Sequence, residues 1–231
     1  CRRVFNTVKL YAKQRRLVSL MMAHINEREK NNHMMIDIQS HIVEFRNGES
    51  GKHVLHMDKV IQLLLDKIVQ KTDKYPSLWQ ERILIRTASA LHDIGKIGID
   101  EAILNKPGRL TAEEFESMKA HTTIGADMLR NLPRYQEERI LQIAIEICRW
   151  HHERYDGKGY PDGLVGDEIP ISAQLVSIAD VYDALTSERV YKKAFSHEKA
   201  MQMIREGECG AFNPLLLSCL EEIADELQAE M

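Results

Sequence analysis

The apolar positions of this chain recur at spacings of three and four almost everywhere, while two-residue alternation is scarce, so the pattern predicts an all-α protein. Over about residues 3–29 the spacing is stricter: Val4, Tyr11, Val18 and Ile25 stand seven apart, with Val8 and Met22 beside that line and Arg2, Arg3, Lys9, Lys13, Arg15 and Arg16 around it. So narrow a seam predicts a coiled-coil or connecting helix, and a helix packed on its own domain fits it equally well. The polar run Asn26-Glu27-Arg28-Glu29-Lys30-Asn31-Asn32 reads as a boundary, dividing an N-terminal linker helix over 1–32 from a main domain over 33–231. In the main domain, residues 34–46 carry Met35, Ile38, Ile42 and Phe45 on one face, and residues 52–71 carry Val54, Met57, Val60, Ile61, Leu64 and Ile68. Another helix runs from Pro76 to Leu91. Thr111-Ala112-Glu113-Glu114 is a capping box, which opens a helix that carries His121. Further helices follow at 136–152, with Ile140, Ile143, Ala144 and Ile147 inward, and at 172–187, 197–206 and 214–229. Asn213 is the N-cap of the last one, with Pro214 at its first position. The expected architecture is a bundle of about seven or more helices with an N-terminal linker helix.

Composition narrows the class without deciding it. A chain of 231 residues can bury one large core with an appendage. With 44% hydrophobic and 29% charged residues it reads as an ordinary globular protein. The formal charge of −4 argues against a general binder of DNA or RNA duplexes, which needs a broad basic face, yet leaves room for a small phosphorylated ligand. No run of 18 apolar residues exists, so no membrane span is expected. No apolar segment follows Cys1-Arg2-Arg3, so no signal peptide is expected, and the absent initial Met fits a fragment of a longer protein. Cys1, Cys148, Cys209 and Cys219 lie far apart with no CxxC spacing, which argues against a disulfide framework or thiolate zinc site and suits a cytoplasmic protein.

The histidines carry more. There are ten, several beside carboxylates. His92-Asp93 follows the apolar stretch ending at Leu91, which puts two metal-capable groups at a buried helix end. Taken alone, the dipeptide fits a core histidine paired with a helix-end carboxylate just as well. His53 lies four residues after Glu49, and His121 sits on the capped helix. His151 and His152 end a strongly apolar helix, where an unpaired imidazole is costly to bury. Asp180 follows Leu175-Val176-Ser177-Ile178-Ala179. Each has a plausible role as a hydrogen-bonded core group, but five imidazoles and several carboxylates together are hard to satisfy without metal. A His and carboxylate set without Cys suits iron or manganese better than structural zinc.

With these residues in view, His92-Asp93 resembles the HD superfamily of metal-dependent phosphohydrolases. His151-His152-Glu153-Arg154-Tyr155-Asp156-Gly157-Lys158-Gly159-Tyr160-Pro161 resembles the HD-GYP signature, HHExxDGxGYP, a highly specific pattern. The similarity continues in Lys106-Pro107-Gly108, in the stretch from Ala179 to Tyr191, and in Phe212-Asn213-Pro214. The resemblance implies a cyclic-di-GMP phosphodiesterase with two or three divalent metal ions, iron or manganese. Carried over by position, the metal ligands are His53, His92, Asp93, His121, His151, His152 and Asp180, with Glu49 added if a third metal is held, which is the arrangement favoured here. Asp93 then bridges two metals and, with Lys96, counts as catalytic: a metal-bridging hydroxide attacks the phosphodiester, giving pGpG with GMP as a further product, and Lys96 holds a phosphate oxygen or assists the leaving group. On the substrate side, Gly157 to Pro161 form a loop in which Tyr160 offers a ring and a hydroxyl, Asp183 pairs with a guanine edge, and Arg189 and Lys192 offer charge to phosphates.

The chain departs from the family's common pattern at His56 and Gln174, where Arg is common, and at Asn213, where Asp is common. None is a ligand, and the changes leave room for an altered substrate preference. Arg3-Val4-Phe5-Asn6-Thr7-Val8-Lys9-Leu10-Tyr11 resembles the end of a response-regulator receiver domain, which implies an upstream receiver and a homodimer formed through the N-terminal helix. Two other readings stay open: a phosphohydrolase of another cyclic dinucleotide, and a catalytically weak or silent cyclic-dinucleotide receptor or scaffold. The complete ligand set argues against the silent receptor.

Overall fold

Helix α1 (His53–Lys71) turns the three-and-four spacing into a core: Val54, Met57, Val60, Ile61, Leu64 and Ile68 are all buried along one side of it. Each such side chain contributes about 1.5–3 kcal/mol relative to exposure. The structure is a computed structural model that describes residues 52–188, residues 193–230 and scattered positions between 15 and 46. After α1 come α2 (Leu78–Ser89), a 3-10 turn (Ile94–Gly98), α3 (Glu101–Leu104), α4 (Ala112–Lys119), α5 (His121–Arg130), α6 (Arg139–Trp150), α7 (Ile171–Thr186), α8 (His197–Arg205), α9 (Pro214–Glu222) and α10 (Ala224–Glu230). Helix α1 packs against α2, α7 and α9, α6 packs against α2, α5 and α7, and the 3-10 turn lies on α5. Among the described residues there is no strand, only an isolated antiparallel bridge between Asp156 and Val165. The fold is all-α, and none of its described helices is long and apolar enough to cross a membrane.

The chain divides into two compact units, residues 1–38 and 39–231. In the first, the described residues are helical, and Val18, Met21, Met22, Met34, Met35 and Ile38 are all exposed. The seam positions Val4, Val8, Tyr11 and Ile25 lie outside the described residues. In the second unit, Ile42 is exposed while Ser40 and Val43 are buried. Of the apolar positions expected to share one face over 34–46, Met35, Ile38 and Ile42 meet water, and Phe45 lies outside the described residues. Ser40 takes an inward place by donating from its hydroxyl to the Ala90 carbonyl. Arg46 donates to the carbonyls of Lys96 at 3.1 Å, Ile99 at 3.0 Å and Ile97, which satisfies the end of the 3-10 turn.

The expected capping box is present: Thr111 Oγ1 accepts from the Glu114 amide at 3.2 Å, and Glu114 accepts from the Thr111 amide at 2.7 Å. The helix it opens stops at Ala120, so His121 begins α5 rather than continuing α4. Likewise 214–229 is two helices, α9 and α10, broken at Ile223. Gly95 on the 3-10 turn approaches α5 so closely that a Cβ there would lie 1.9 Å from the His121 carbonyl oxygen and 2.5 Å from the Gly125 nitrogen. Only a residue without a side chain lets the turn rest against α5, and that contact brings Asp93 to His121.

Two of the departures from the family pattern prove to be one feature. Asn213 and Gln174 are buried together, and Asn213 Nδ2 donates to Gln174 Oε1 at 2.8 Å. Gln174 Nε2 donates to the Ile169 carbonyl at 2.7 Å, while Asn213 Oδ1 caps α9 by accepting from the Leu215 amide at 2.9 Å. The pair completes its own hydrogen bonding about 9 Å along α7 from Asp180.

Candidate metal centre

Most of the histidines that cluster in this fold sit at helix ends, where the last carbonyls of a helix have no intrahelical partner. His92 follows the end of α2 and places Nδ1 2.8 Å from the Ser89 carbonyl. His121 follows α4 and places Nδ1 2.7 Å from the Met118 carbonyl. His151 caps α6, with Nδ1 3.0 Å from the Ile147 carbonyl and 3.2 Å from that of Cys148. A carbonyl can only accept, so each Nδ1 carries the proton and each Nε2 is left as a free base. His53, the first residue of α1, is oriented by a carboxylate instead: its Nδ1 lies 2.6 Å from Asp183 Oδ2.

These rings converge. His121, His151 and His152 form one group of three, and His53, His92 and Asp180 form another, each with donor atoms within 4.8 Å of one another. Asp93 lies between the groups. Its Oδ1 is 3.3 Å from His121 Nε2 and 3.8 Å from His151 Nε2, and its Oδ2 is 3.3 Å from His92 Nε2. His53 Nε2 lies 3.8 Å from Asp180 Oδ1. The seven sequence-predicted positions His53, His92, Asp93, His121, His151, His152 and Asp180 thus come to one place, whereas Glu49 lies outside the described residues.

The electrostatics suit cations. Burial holds the imidazolium forms of His151 and His152 down, reinforced by the neighbouring rings, so that His151 titrates at about 3 and His152 well below the usual range. Burial likewise lowers His121. Burial opposes the charge on Asp93, but Lys96 and the His92 ring outweigh it and keep the carboxyl well below its ordinary pKa. Asp180 behaves similarly, with His53 and His92 offsetting its burial. The site therefore sets three imidazoles that burial holds down, His121, His151 and His152, beside carboxylates held ionised, whereas burial lowers His92 less than the adjoining Asp93 carboxylate raises it. His92 Nε2 and Asp93 Oδ1 are buried with no hydrogen-bond partner of acceptable geometry among the described residues. Buried polar atoms without partners are costly, and a divalent cation between these donors satisfies both; the residues fit metal.

Asp183 is not where the expected guanine contact requires it. It is 1% exposed, and its two oxygens take His53 Nδ1 at 2.6 Å and His56 Nδ1 at 2.8 Å, with the Ser187 hydroxyl donating at 2.7 Å. A carboxylate so enclosed cannot reach a base. Asp180 and Asp183 stand three apart on α7, opposite His53 and His56 three apart on α1, so the first pair faces the cluster while the second locks from behind. Lys96 Nζ lies 2.6 Å from Asp93 Oδ2. Tyr160 stacks on His152 with centroids 4.8 Å apart and planes 31° apart, and burial pushes its hydroxyl pKa up, which keeps it a donor. Arg189 and Lys192 lie outside the described residues.

One residue of the signature received no role from sequence. Glu153 is 2% exposed, and its carboxylate accepts the amides of Asp162 at 2.7 Å, Gly163 at 3.0 Å and Leu164 at 3.1 Å. It ties the far side of the Gly157–Pro161 loop to the residue after His152. Arg149 and Trp150 hold the same turn through Asp162, at 2.7–2.8 Å. Gly159 rests on the Glu153–Arg154 peptide, where a Cβ would come within 2.3 Å of the Arg154 nitrogen. The signal for Glu153 was present in sequence as a carboxylate flanked by an apolar helix and a glycine-rich loop, whose amides need an acceptor.

Comparison with known proteins identifies the family and the fold. The HD domain family model matches residues 16–214. A cyclic di-GMP phosphodiesterase of Vibrio cholerae serotype O1 is 41% identical over 192 residues, 82% of this chain and 39% of that protein. A 3′3′-cGAMP-specific phosphodiesterase of the same organism is 35% identical over 225 residues, 93% of this chain and 41% of that protein. The chain thus spans about two fifths of the length of these curated relatives. Among solved structures, an HDG"Y"P protein from Bdellovibrio bacteriovorus has the same fold, with a TM-score of 0.55 and 20% identity over 75% of this chain and 51% of that one.

Proposed function

This chain belongs to the HD domain family, and from that premise we propose that it is a metal-dependent phosphodiesterase that hydrolyses cyclic-di-GMP. The observation that carries the reading is the pair of three-donor groups with Asp93 between them. We assign His53, His92, Asp93, His121, His151, His152 and Asp180 as ligands, and Glu49 as the ligand of a third ion on its spacing before His53. The lack of Cys in this set favours iron or manganese. When bound, divalent ions supply charge for the phosphate and lower the pKa of water, the chemistry that diester hydrolysis needs.

The chain's own residues supply the rest. Four locked Nδ1 protons keep Nε2 donors aimed inward. Asp93, ionised at neutral pH, offers one oxygen to each group. Lys96 is placed so that its ammonium can turn from Asp93 to a phosphate oxygen. Tyr160 lays an aromatic floor beside His152 and holds a hydroxyl proton for the substrate. Arg189 and Lys192 contribute phosphate contacts, and pGpG is the first product, with GMP following if the third ion is held. Asp183 acts through His53 rather than on a base. A related cyclic dinucleotide is the second reading, supported by the 3′3′-cGAMP-specific relative that matches 93% of the chain. The buried free thiols of Cys148 and Cys219 suit a cytoplasmic setting. The exposed Val18, Met21 and Met22 support a homodimer through the N-terminal helix, and the similarity at Arg3–Tyr11 supports an upstream receiver domain.

The test is turnover of cyclic-di-GMP and 3′,3′-cGAMP by anaerobically purified protein with Fe(II) or Mn(II), alongside its metal content. Hydrolysis to pGpG is expected. If the metal-loaded protein hydrolyses neither, the enzyme reading fails and a receptor remains. Turnover unchanged in Asp93→Ala refutes the metal assignment.

A further inference from the structure

Helix α4 shows the centre a face that the hydrolytic reading leaves unused. Phe115 and Lys119 stand four residues apart on it and so share one side. The Phe115 ring meets Tyr160 edge-on, with centroids 6.4 Å apart and planes 80° apart. Lys119 Nζ lies 5.0 Å from the Phe115 centroid and 5.4 Å from that of Tyr160. Tyr160 in turn lies against His152. An aromatic patch with a cation therefore begins at the histidine group and runs outward onto α4.

Packing alone does not account for this patch. Phe115 is 46% exposed, so much of its ring meets water instead of a core. The carboxylate that pairs with Lys119 is Glu116 at 2.6 Å, itself 69% exposed, so the ammonium is only lightly held. The helix beneath is held firmly: the Thr111–Glu114 box closes its start, Lys106 binds Glu114, and the Met118 carbonyl holds His121 Nδ1. Phe115 and Lys119 are thus fixed relative to the histidine group by one helix and its next residue.

We propose that Phe115 and Lys119 form, with Tyr160, a subsite for one nucleobase of the substrate, Phe115 and Tyr160 supplying ring surface and Lys119 supplying a cation for the base's carbonyl edge or its phosphate. This deepens the phosphodiesterase reading and rests on it. Stacking of a base on an aromatic side chain strengthens binding about fivefold to 150-fold, sequence-tolerantly, and a lysine beside the rings adds a charge-assisted contact to a carbonyl edge or a phosphate oxygen. The subsite acts on binding and not on the bond that breaks, so its signature is a KM effect.

The experiment compares Mn(II)-loaded wild type, Phe115→Ala, Phe115→Trp and Lys119→Met. Kinetics on cyclic-di-GMP are set beside those on bis(4-nitrophenyl) phosphate, a diester without a nucleobase, and metal content is measured for each protein. Phe115→Ala should raise KM for cyclic-di-GMP about tenfold more than for the simple diester, the lower range of a stacking contact. Phe115→Trp should restore it, and Lys119→Met should raise KM about threefold or more. A KM within twofold of wild type in both Phe115→Ala and Lys119→Met overturns the subsite. So does a fall in kcat that tracks lost metal, since that assigns α4 to holding His121. Equilibrium binding of cyclic-di-GMP separates the two readings: wild type that binds without hydrolysis, with Phe115→Ala binding about tenfold more weakly, keeps the subsite and rejects the enzyme. Wild type that does not bind rejects both.

Discussion

Glu153 offers the sharpest perturbation, because its three amide partners are named and its surroundings are nearly dry. In Glu153→Gln the amide oxygen can keep two of those bonds, to Asp162 and Gly163, but an NH2 then faces the Leu164 amide, donor against donor. A hydrogen bond to a charged group contributes about 1.5–3 kcal/mol, and an unsatisfied buried donor costs about 1–3 kcal/mol, so the substitution should cost about 2–3 kcal/mol after partial relaxation. Glu153→Ala removes all three acceptors. Asp162 and Gly163 are exposed, so water recovers part of the loss, and about 4 kcal/mol is expected. If the loop unfolds with the domain, Glu153→Gln lowers Tm by about 4–12 °C in a protein of this size. Hydrogen exchange checks the local claim: the amides of 162–164 should exchange faster in Glu153→Gln, while those of α1 remain protected. Exchange at 162–164 that matches wild type in both variants would falsify the anchoring role.

Two other predictions rest on different contacts. In Asp183→Asn one oxygen and one NH2 replace two acceptors, so either His53 or His56 must give up its Nδ1 proton; where His53 does so, its Nε2 becomes protonated and cannot bind metal. Affinity for Mn(II) should fall about tenfold to a hundredfold by titration calorimetry, and an unchanged metal affinity rejects the positioning role. The metal-free protein should also lose stability as pH falls. His151 titrates at about 3 when folded against 6.5 as a free group, so between those values the unfolded chain binds the extra proton. By linkage its contribution is full above about 6.5 and declines below, costing about 1.4 kcal/mol by pH 5.5, with His152 and His121 acting in the same direction and His92 against. Thermal melts of the metal-free protein at pH 7.5 and 5.5 check this, and a Tm that does not fall contradicts it.

Helix identity was legible because it is local. The convergence of His53, His92, His121, His151 and His152, which lie far apart in the chain, was legible through the resemblance carried by His92-Asp93 and the His151–Pro161 signature. Apolar spacing marks a helix's buried side, and an imidazole ending such a side must find a partner. What was not legible depends on contacts far apart in the chain. Asp183 looked available to a ligand, yet its partners His53 and His56 lie 130 and 127 residues away. Its place on a nearly wholly apolar helix, three residues after Asp180, held a clue: both carboxylates turn to the same side, and the second needs donors of its own. The break at Ala120 was hidden because apolar spacing runs on through it, and only the close approach of Gly95 to α5 shows where the new helix begins. Met35, Ile38 and Ile42 misled in the opposite direction, since a hydrophobic stripe states that a face prefers cover without stating what covers it.

The Gln174–Asn213 pair changes how divergence at this position should be counted. Where the family resemblance leads one to expect Arg and Asp, this chain carries two neutral amides joined by a hydrogen bond. A tally that scores positions independently charges the chain with two defects, while the molecule has none. The two sites form a single allele in physical terms: a lone return to Arg would bury a cation against an amide, and a lone return to Asp would bury an anion beside one. A change at either position alone leaves a buried partner mismatched, so the two positions are best counted, and tested, as one.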